Sequence, residues 1–163
     1  VSVIRTSAQL HEQTSNYQKA EVSYLNALRI LREAKGEDNI ATASLMGELG
    51  RIYTITQQYG KSDSLLQESL RKYRELGAEH SLSMARTLQR IGANYRELKE
   101  YNKAELALQN AIKLYEDILG ASSPMLITAL ESLEEVYYRS GREEEGIAMR
   151  NRINRIRGIQ ETI

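Results

Sequence analysis

Apolar residues in this chain recur at helical spacing, and the spacing itself then recurs as a block. Met46, Leu49 and Tyr53 fall at i, i+3 and i+7, the signature of one buried stripe on an α-helix. The same triplet returns as Leu88, Ile91 and Tyr95 and again as Leu130, Leu133 and Tyr137, each copy 42 residues after the last. A second stripe follows the first two: Ser62, Leu66, Ser69 and Leu70 share one helical face, as do Ala104, Leu108, Ala111 and Ile112. Tyr17, Tyr59 and Tyr101 keep the same step, each with a small residue (Ala20, Ser62, Ala104) three positions later. Large residues alternating with small ones suit close helix packing, so these positions are read as core. The pattern predicts an all-α fold with two helices per unit, eight helices in total, in units at approximately 1–38, 39–80, 81–122 and 123–163 that form a single array over 1–163.

Punctuation supports those boundaries. Gly36, Gly77 and Gly120 are expected to end helices in the left-handed conformation that glycine adopts most easily. Asn39, His80-Ser81 and Ser122-Ser123-Pro124 follow them as helix starts, because Asn and Ser accept orphan N–H bonds and Pro loses nothing at the first helical position.

Composition narrows the function classes. The 163 residues contain no Cys, which excludes disulfides, thiolate metal sites and a cysteine nucleophile. Lys and Arg number 22 against 22 Asp and Glu, a balance unlike that of proteins that neutralise phosphates, so no nucleic-acid partner is expected. No run approaches the roughly 20 apolar residues of a membrane span. The opening Val-Ser-Val-Ile-Arg-Thr has neither an apolar signal core nor an initiator Met, and a cytoplasmic segment of a longer protein is expected.

Chemistry has few candidates. The two histidines, His11 and His80, fall in different units. No glycine-rich phosphate loop, paired-histidine metal motif, nucleophile elbow or acidic calcium loop is present. Neither enzyme activity nor a cofactor nor a metal is expected. The carboxylates of Glu143, Glu144 and Glu145 open the closing helical segment, and Arg150, Arg152, Arg155 and Arg157 end it. Both signs complement a helix dipole and suit the polar outer face of an end unit, with an acidic partner as the sharper alternative.

The repeated residues resemble the tetratricopeptide repeat. Met46, Leu49, Gly50, Tyr53, Ser62 and Leu66 follow its pattern of a bulky residue, Leu-Gly, Tyr, a small residue and a large apolar one, and so do Leu88, Ile91, Gly92, Tyr95, Ala104 and Leu108. The 42-residue period and the segment Leu76-Gly77-Ala78-Glu79-His80 resemble the long-helix subclass found in kinesin light chains. The likeness weakens at Ser7 and His11 in the first unit and at Gly146, Arg150 and Ile153 in the last. It implies a right-handed α-solenoid of about four helix-turn-helix units, whose first helices line a concave groove that binds a partner peptide or protein segment.

Residues beside the core stripe of each first helix would face that groove. They are Arg5 and Gln9 in the first unit, Ser44, Glu48 and Arg51 in the second, Arg86, Gln89, Arg90 and Arg96 in the third, and Glu131, Glu135 and Tyr138 in the fourth. With Arg139 the face carries six arginines, whose planar forks suit carboxylates, so a partner with acidic groups is expected. The alternative is that these charges pair with one another. By resemblance to chaperone-binding members, a terminal carboxylate would be clamped by Arg5, Gln9, Glu48, Arg86 and Arg90, where Glu48 puts a carboxylate in place of an amide. A second function stays open: an array that positions or inhibits a neighbouring effector domain, or that self-associates through its end units.

Overall fold

Long runs of Leu, Ala, Glu, Lys, Arg and Gln between widely spaced glycines build helices and no strand among the described residues. The computed structural model describes residues 16–35, 39–79 and 81–158, together with Thr6 and Leu10. Its helices are α1 (Tyr17–Lys35), α2 (Ile40–Ile55), α3 (Tyr59–Glu75), α4 (Leu82–Glu97), α5 (Tyr101–Leu119), α6 (Ile127–Arg139) and α7 (Glu143–Arg157), with a 3₁₀ turn at Pro124–Leu126. Seven α-helices thus stand where eight are predicted, because the first helix of the first predicted unit falls largely outside the described residues.

The chain divides into two compact units, Val1–Glu79 and His80–Ile163. In the first, α2 packs between α1 and α3. Ala20, Tyr24, Ala27, Leu28 and Leu31 of α1 meet Leu45, Met46, Leu49, Ile52 and Tyr53 of α2 in one apolar cluster. In the second unit, α5 packs on α4 and α6, and α6 packs on α7. Leu88, Ile91, Leu108, Ile112, Leu130, Leu133 and Tyr137 are buried there, at the positions the helical period assigns to the core.

Glycine on the first helix of a pair decides how close the second can come. A Cβ added to Gly50 would lie 2.6 Å from Leu66 Cγ, and one added to Gly92 would lie 2.5 Å from Leu108 Cγ. Each leucine therefore occupies the space that the glycine leaves empty.

Helix starts follow simple capping chemistry. Asn39 accepts from the Thr42 N–H at 2.9 Å, and Ser81 accepts from the Met84 N–H at 3.2 Å. Ser123 accepts from the Met125 N–H, with Pro124 first in the 3₁₀ turn. Gly77 ends α3 with φ +64, as predicted, but Gly120 at φ 84 and ψ 154 is not in the left-handed helical region: it leaves α5 on an extended path that only glycine takes easily. Gly36 and His80 lie outside the described residues, as does His11. Tyr17, Tyr59 and Tyr101 are half-buried first residues of helices, and Tyr17 packs against the edge of the apolar cluster of the first unit. The buried tyrosines are Tyr24, Tyr53, Tyr73, Tyr115 and Tyr137.

The turn inside each helix pair carries a feature that the sequence pattern does not announce. Gln57, Lys99 and Gly141, again 42 residues apart, all have positive φ. The following N–H groups, of Gln58, Glu100 and Arg142, donate back to the carbonyls of Tyr53, Tyr95 and Tyr137 at 2.7, 2.9 and 2.9 Å. One reversed turn is used three times, and only the last copy fills the left-handed position with glycine.

Candidate partner-binding face

In the first unit the candidate residues Ser44, Glu48 and Arg51 lie one helical turn apart along α2, all partly exposed. Arg51 Nε stands 3.7 Å from Glu48 Oε2, a loose pair that leaves Glu48 next to a cation. Arg5 and Gln9 lie outside the described residues.

In the second unit the candidates separate into two groups with different electrostatics. The first group sits on the N-terminal half of α4. Arg86 is exposed and makes no ion pair among the described residues, and one turn on come Gln89 and Arg90, half-exposed. Tyr115, buried on α5, reaches across so that its hydroxyl donates to Gln89 Oε1 at 3.2 Å. Burial raises the Tyr115 hydroxyl above its ordinary pKa of 10, while the charges of Arg86 and Arg90 pull it down. A carboxylate placed here would meet two guanidinium groups and an amide, the chemistry that favours anionic groups.

The second group is already neutralised. Arg96 Nη1 lies 2.5 Å from Glu135 Oε2 of α6 and its Nη2 lies 2.9 Å from Glu97 Oε1. Arg139 Nη2 lies 2.6 Å from Glu135 Oε1, and its Nη1 lies 3.4 Å from Glu97. Two arginines and two glutamates thus close a network across α4 and α6. Glu131 is taken by Arg157 of α7 at 2.6 Å. Tyr138 is packed rather than presented: its ring fills the space beside Gly146, and the Arg150 guanidinium stands 5.4 Å from its centroid.

Arg86, Gln89 and Arg90 thus share one face of α4, whereas Arg96, Glu131 and Glu135 pair with neighbouring charges and Tyr138 packs beside Gly146. Tyr115 is the residue that the sequence reading did not connect to the face. Its signal was the 42-residue step from Tyr73 to Tyr115, two tyrosines that end the core stripes of α3 and α5. No cluster of His, Asp and Glu able to hold a metal ion occurs among the described residues, and no described helix is long and apolar enough to cross a membrane.

Comparisons with known proteins agree with the helical-repeat fold. The family model described as tetratricopeptide repeat matches residues 2–75, 41–117 and 83–151. Among solved structures, BtubC (BKLC) from P. vanneervenii superposes with a TM-score of 0.83 at 22% identity, covering 96% of this chain and 63% of that one. A Podosopora anserina chain described as a kinesin light chain with nearly identical TPR-like repeats gives 0.83 at 14% identity, covering 99% and 76%. The apo form of RapI gives 0.79 at 21% identity, covering 94% and 54%. The chain thus spans less than two thirds of BtubC and about half of RapI, and at these identities the likeness is one of fold. No curated protein matches the sequence.

Proposed function

The chain belongs to the tetratricopeptide repeat family, and from that premise we propose that it is a protein-interaction module, with its repeats working as one array and their first-helix faces binding an extended segment of a partner. Acidic groups of that segment dock at Arg86 and Arg90. The observation that carries this reading is the contrast along α4: Arg96 is closed into a network with Glu97 and Glu135, whereas Arg86 is exposed with no such pair among the described residues, beside Gln89 and the Tyr115 hydroxyl. A cation already matched to a neighbour, as Arg96 is, gains little from a ligand carboxylate, and the exposed Arg86 gains more. Ser44, Glu48 and Arg51 of α2 supply a mixed polar stretch of the same kind in the first unit. Arg5 and Gln9 complete the proposed contact set, and no catalytic step is assigned to any of these residues.

The test is the double variant Arg86→Glu with Arg90→Glu. A partner recovered by crosslinking and affinity capture with the intact chain is titrated calorimetrically against wild type and variant. Affinity falls by at least about tenfold, while helicity and the melting midpoint hold, because exposed substitutions usually change stability by no more than about 0.5 kcal/mol. Unchanged affinity overturns the assignment.

A further inference from the structure

The pair α6/α7 departs from the other two pairs at the place where those two agree. Gly50 receives Leu66 and Gly92 receives Leu108. Forty-two residues on, the same two positions hold Glu134 and Arg150, and the space is closed by an ion pair of 2.6 Å. Seven residues of α5 are buried, but only Gly146 and Ile153 of α7 are. Met149 and Ile156 are half-buried beside them, and the rest of the contact is ionic. Arg142, its N-cap, pairs with Glu105 of α5 at 2.6 Å; Arg152 pairs with Glu116 of α5; Arg157 pairs with Glu131 of α6 at 2.6 Å. With Arg150 on Glu134 of α6, three arginines of this helix and a fourth at its N-cap cross to its two neighbours.

We propose that α7 is an ionic latch: it is held on α5 and α6 mainly by arginine–glutamate pairs and comes away as a unit when those pairs are screened, while α4, α5 and α6 stay folded. Pairs at the surface weaken with salt, since the screening length falls to about 3 Å at about 1 M, whereas the apolar seats that hold α5 do not depend on charge. Local opening of the least buried element ahead of the rest is the ordinary behaviour of folded domains. Because Arg157 occupies Glu131, release also returns that carboxylate to the open face of α6, which ties the state of α7 to the charge a partner meets there.

Hydrogen exchange read by mass spectrometry on the whole 163-residue chain tests this. Between about 0.05 M and about 1 M sodium chloride, amides of α7 exchange about tenfold faster and those of α5 do not change. The double variant Glu134→Gly with Arg150→Leu rebuilds the glycine–leucine seat and reduces the salt response of α7. An α7 that ignores salt, or an α5 that responds equally, overturns the latch. Should the double variant not fold, Glu131→Gln at a half-exposed site gives the same reading: faster α7 exchange at low salt with a smaller further increase supports the latch, and unchanged exchange overturns it.

Discussion

Two helix pairs built on the same repeat, α2/α3 and α6/α7, are joined by different chemistry. In α2/α3 the contact is apolar and directional. Leu66 fills the space at Gly50, the Ser62 hydroxyl donates to the Gly50 carbonyl at 2.8 Å, and the Ser69 hydroxyl donates to the Ala43 carbonyl at 2.7 Å. In α6/α7 the positions of Ser62 and Ser69 hold Gly146 and Ile153, and Glu134 with Arg150 replaces glycine with leucine. The first arrangement seats leucine on glycine and buries its hydrogen bonds; the second puts an ion pair at that seat and keeps its shape contact at Gly146, against Tyr138. Contact positions are thus set by the repeat, and the kind of contact is free to change provided both partners change together.

The same contrast appears where one second helix meets the next pair. In the first unit a cleft of about 450 Å³ opens beside α1, α2 and α3, with Leu25, Leu28, Leu49, Tyr53 and Leu65 among its walls. Eighty-four residues on, Leu25 becomes Gln109, and Arg32 and Glu68 become Glu116 and Arg152. Gln109 reaches the Tyr137 hydroxyl at 3.5 Å, that hydroxyl donates to Glu105 at 3.0 Å, and Arg152 pairs with Glu116. The leucine of the first cleft is thus replaced by an amide that reaches a tyrosine hydroxyl, and the charges at its rim exchange sign.

The contrast can be broken first at the leucine. Leu66→Ala empties a fully buried seat and should cost about 3 kcal/mol in chemical denaturation, whereas Arg150→Ala at the equivalent, largely exposed position should cost a small fraction of that. Gly50→Val attacks the same seat from the other side, since even its Cβ collides with Leu66; a loss of about 2 kcal/mol or more in the melting curve is expected, while Glu134→Val is tolerated. A smaller change sharpens the comparison of turns. Lys99→Gly gives α4/α5 the residue that α6/α7 already has at Gly141 and should stabilise by about 0.5 kcal/mol, because a side chain at positive φ is strained.

The smallest effect is on pH. The hydrogen bond from Arg142, with its own backbone bond second, holds the Glu145 carboxyl below its ordinary value of 4.5. A carboxyl depressed on folding stabilises the fold above its unfolded pKa, and that contribution disappears as pH falls through the folded value. Glu145→Gln should therefore narrow the gap between melting midpoints at neutral pH and at pH below about 4, with no change in the order of unfolding. An identical gap in wild type and variant would remove Glu145 from the acid response.

Much of this molecule was legible in the residues because its core obeys one period. Leu49, Leu88, Leu108, Leu130 and Leu133 lie where a 3.6-residue spiral and a 42-residue step put them, and each is buried. The candidate face was legible only as a list of positions. That Arg86 stands apart while Arg96 is locked to Glu135, or that Arg139 reaches Glu97 from 42 residues away, depends on how α4 and α6 cross and on where long side chains end. Spacing along one helix says nothing about the helix beside it. Gln57 and Lys99 hid for a related reason: their positive φ is imposed by the returning N–H bonds of the turn, against their own preference.

The sequence by itself determined the all-helical class, the repeat, the helix starts at Asn39 and Ser81 and the positions that turn inward, since local hydrogen bonding and the burial of one apolar stripe depend only on neighbours within a few turns. Tertiary structure alone decided which charges are spent on one another, that Tyr138 packs on Gly146, that Tyr115 meets Gln89, and that an arginine–glutamate pair stands in α6/α7 where α3 and α5 seat leucines on glycine. Those outcomes depend on the distances between helices, and a distance of a few ångströms separates a charge offered to a partner from one already neutralised.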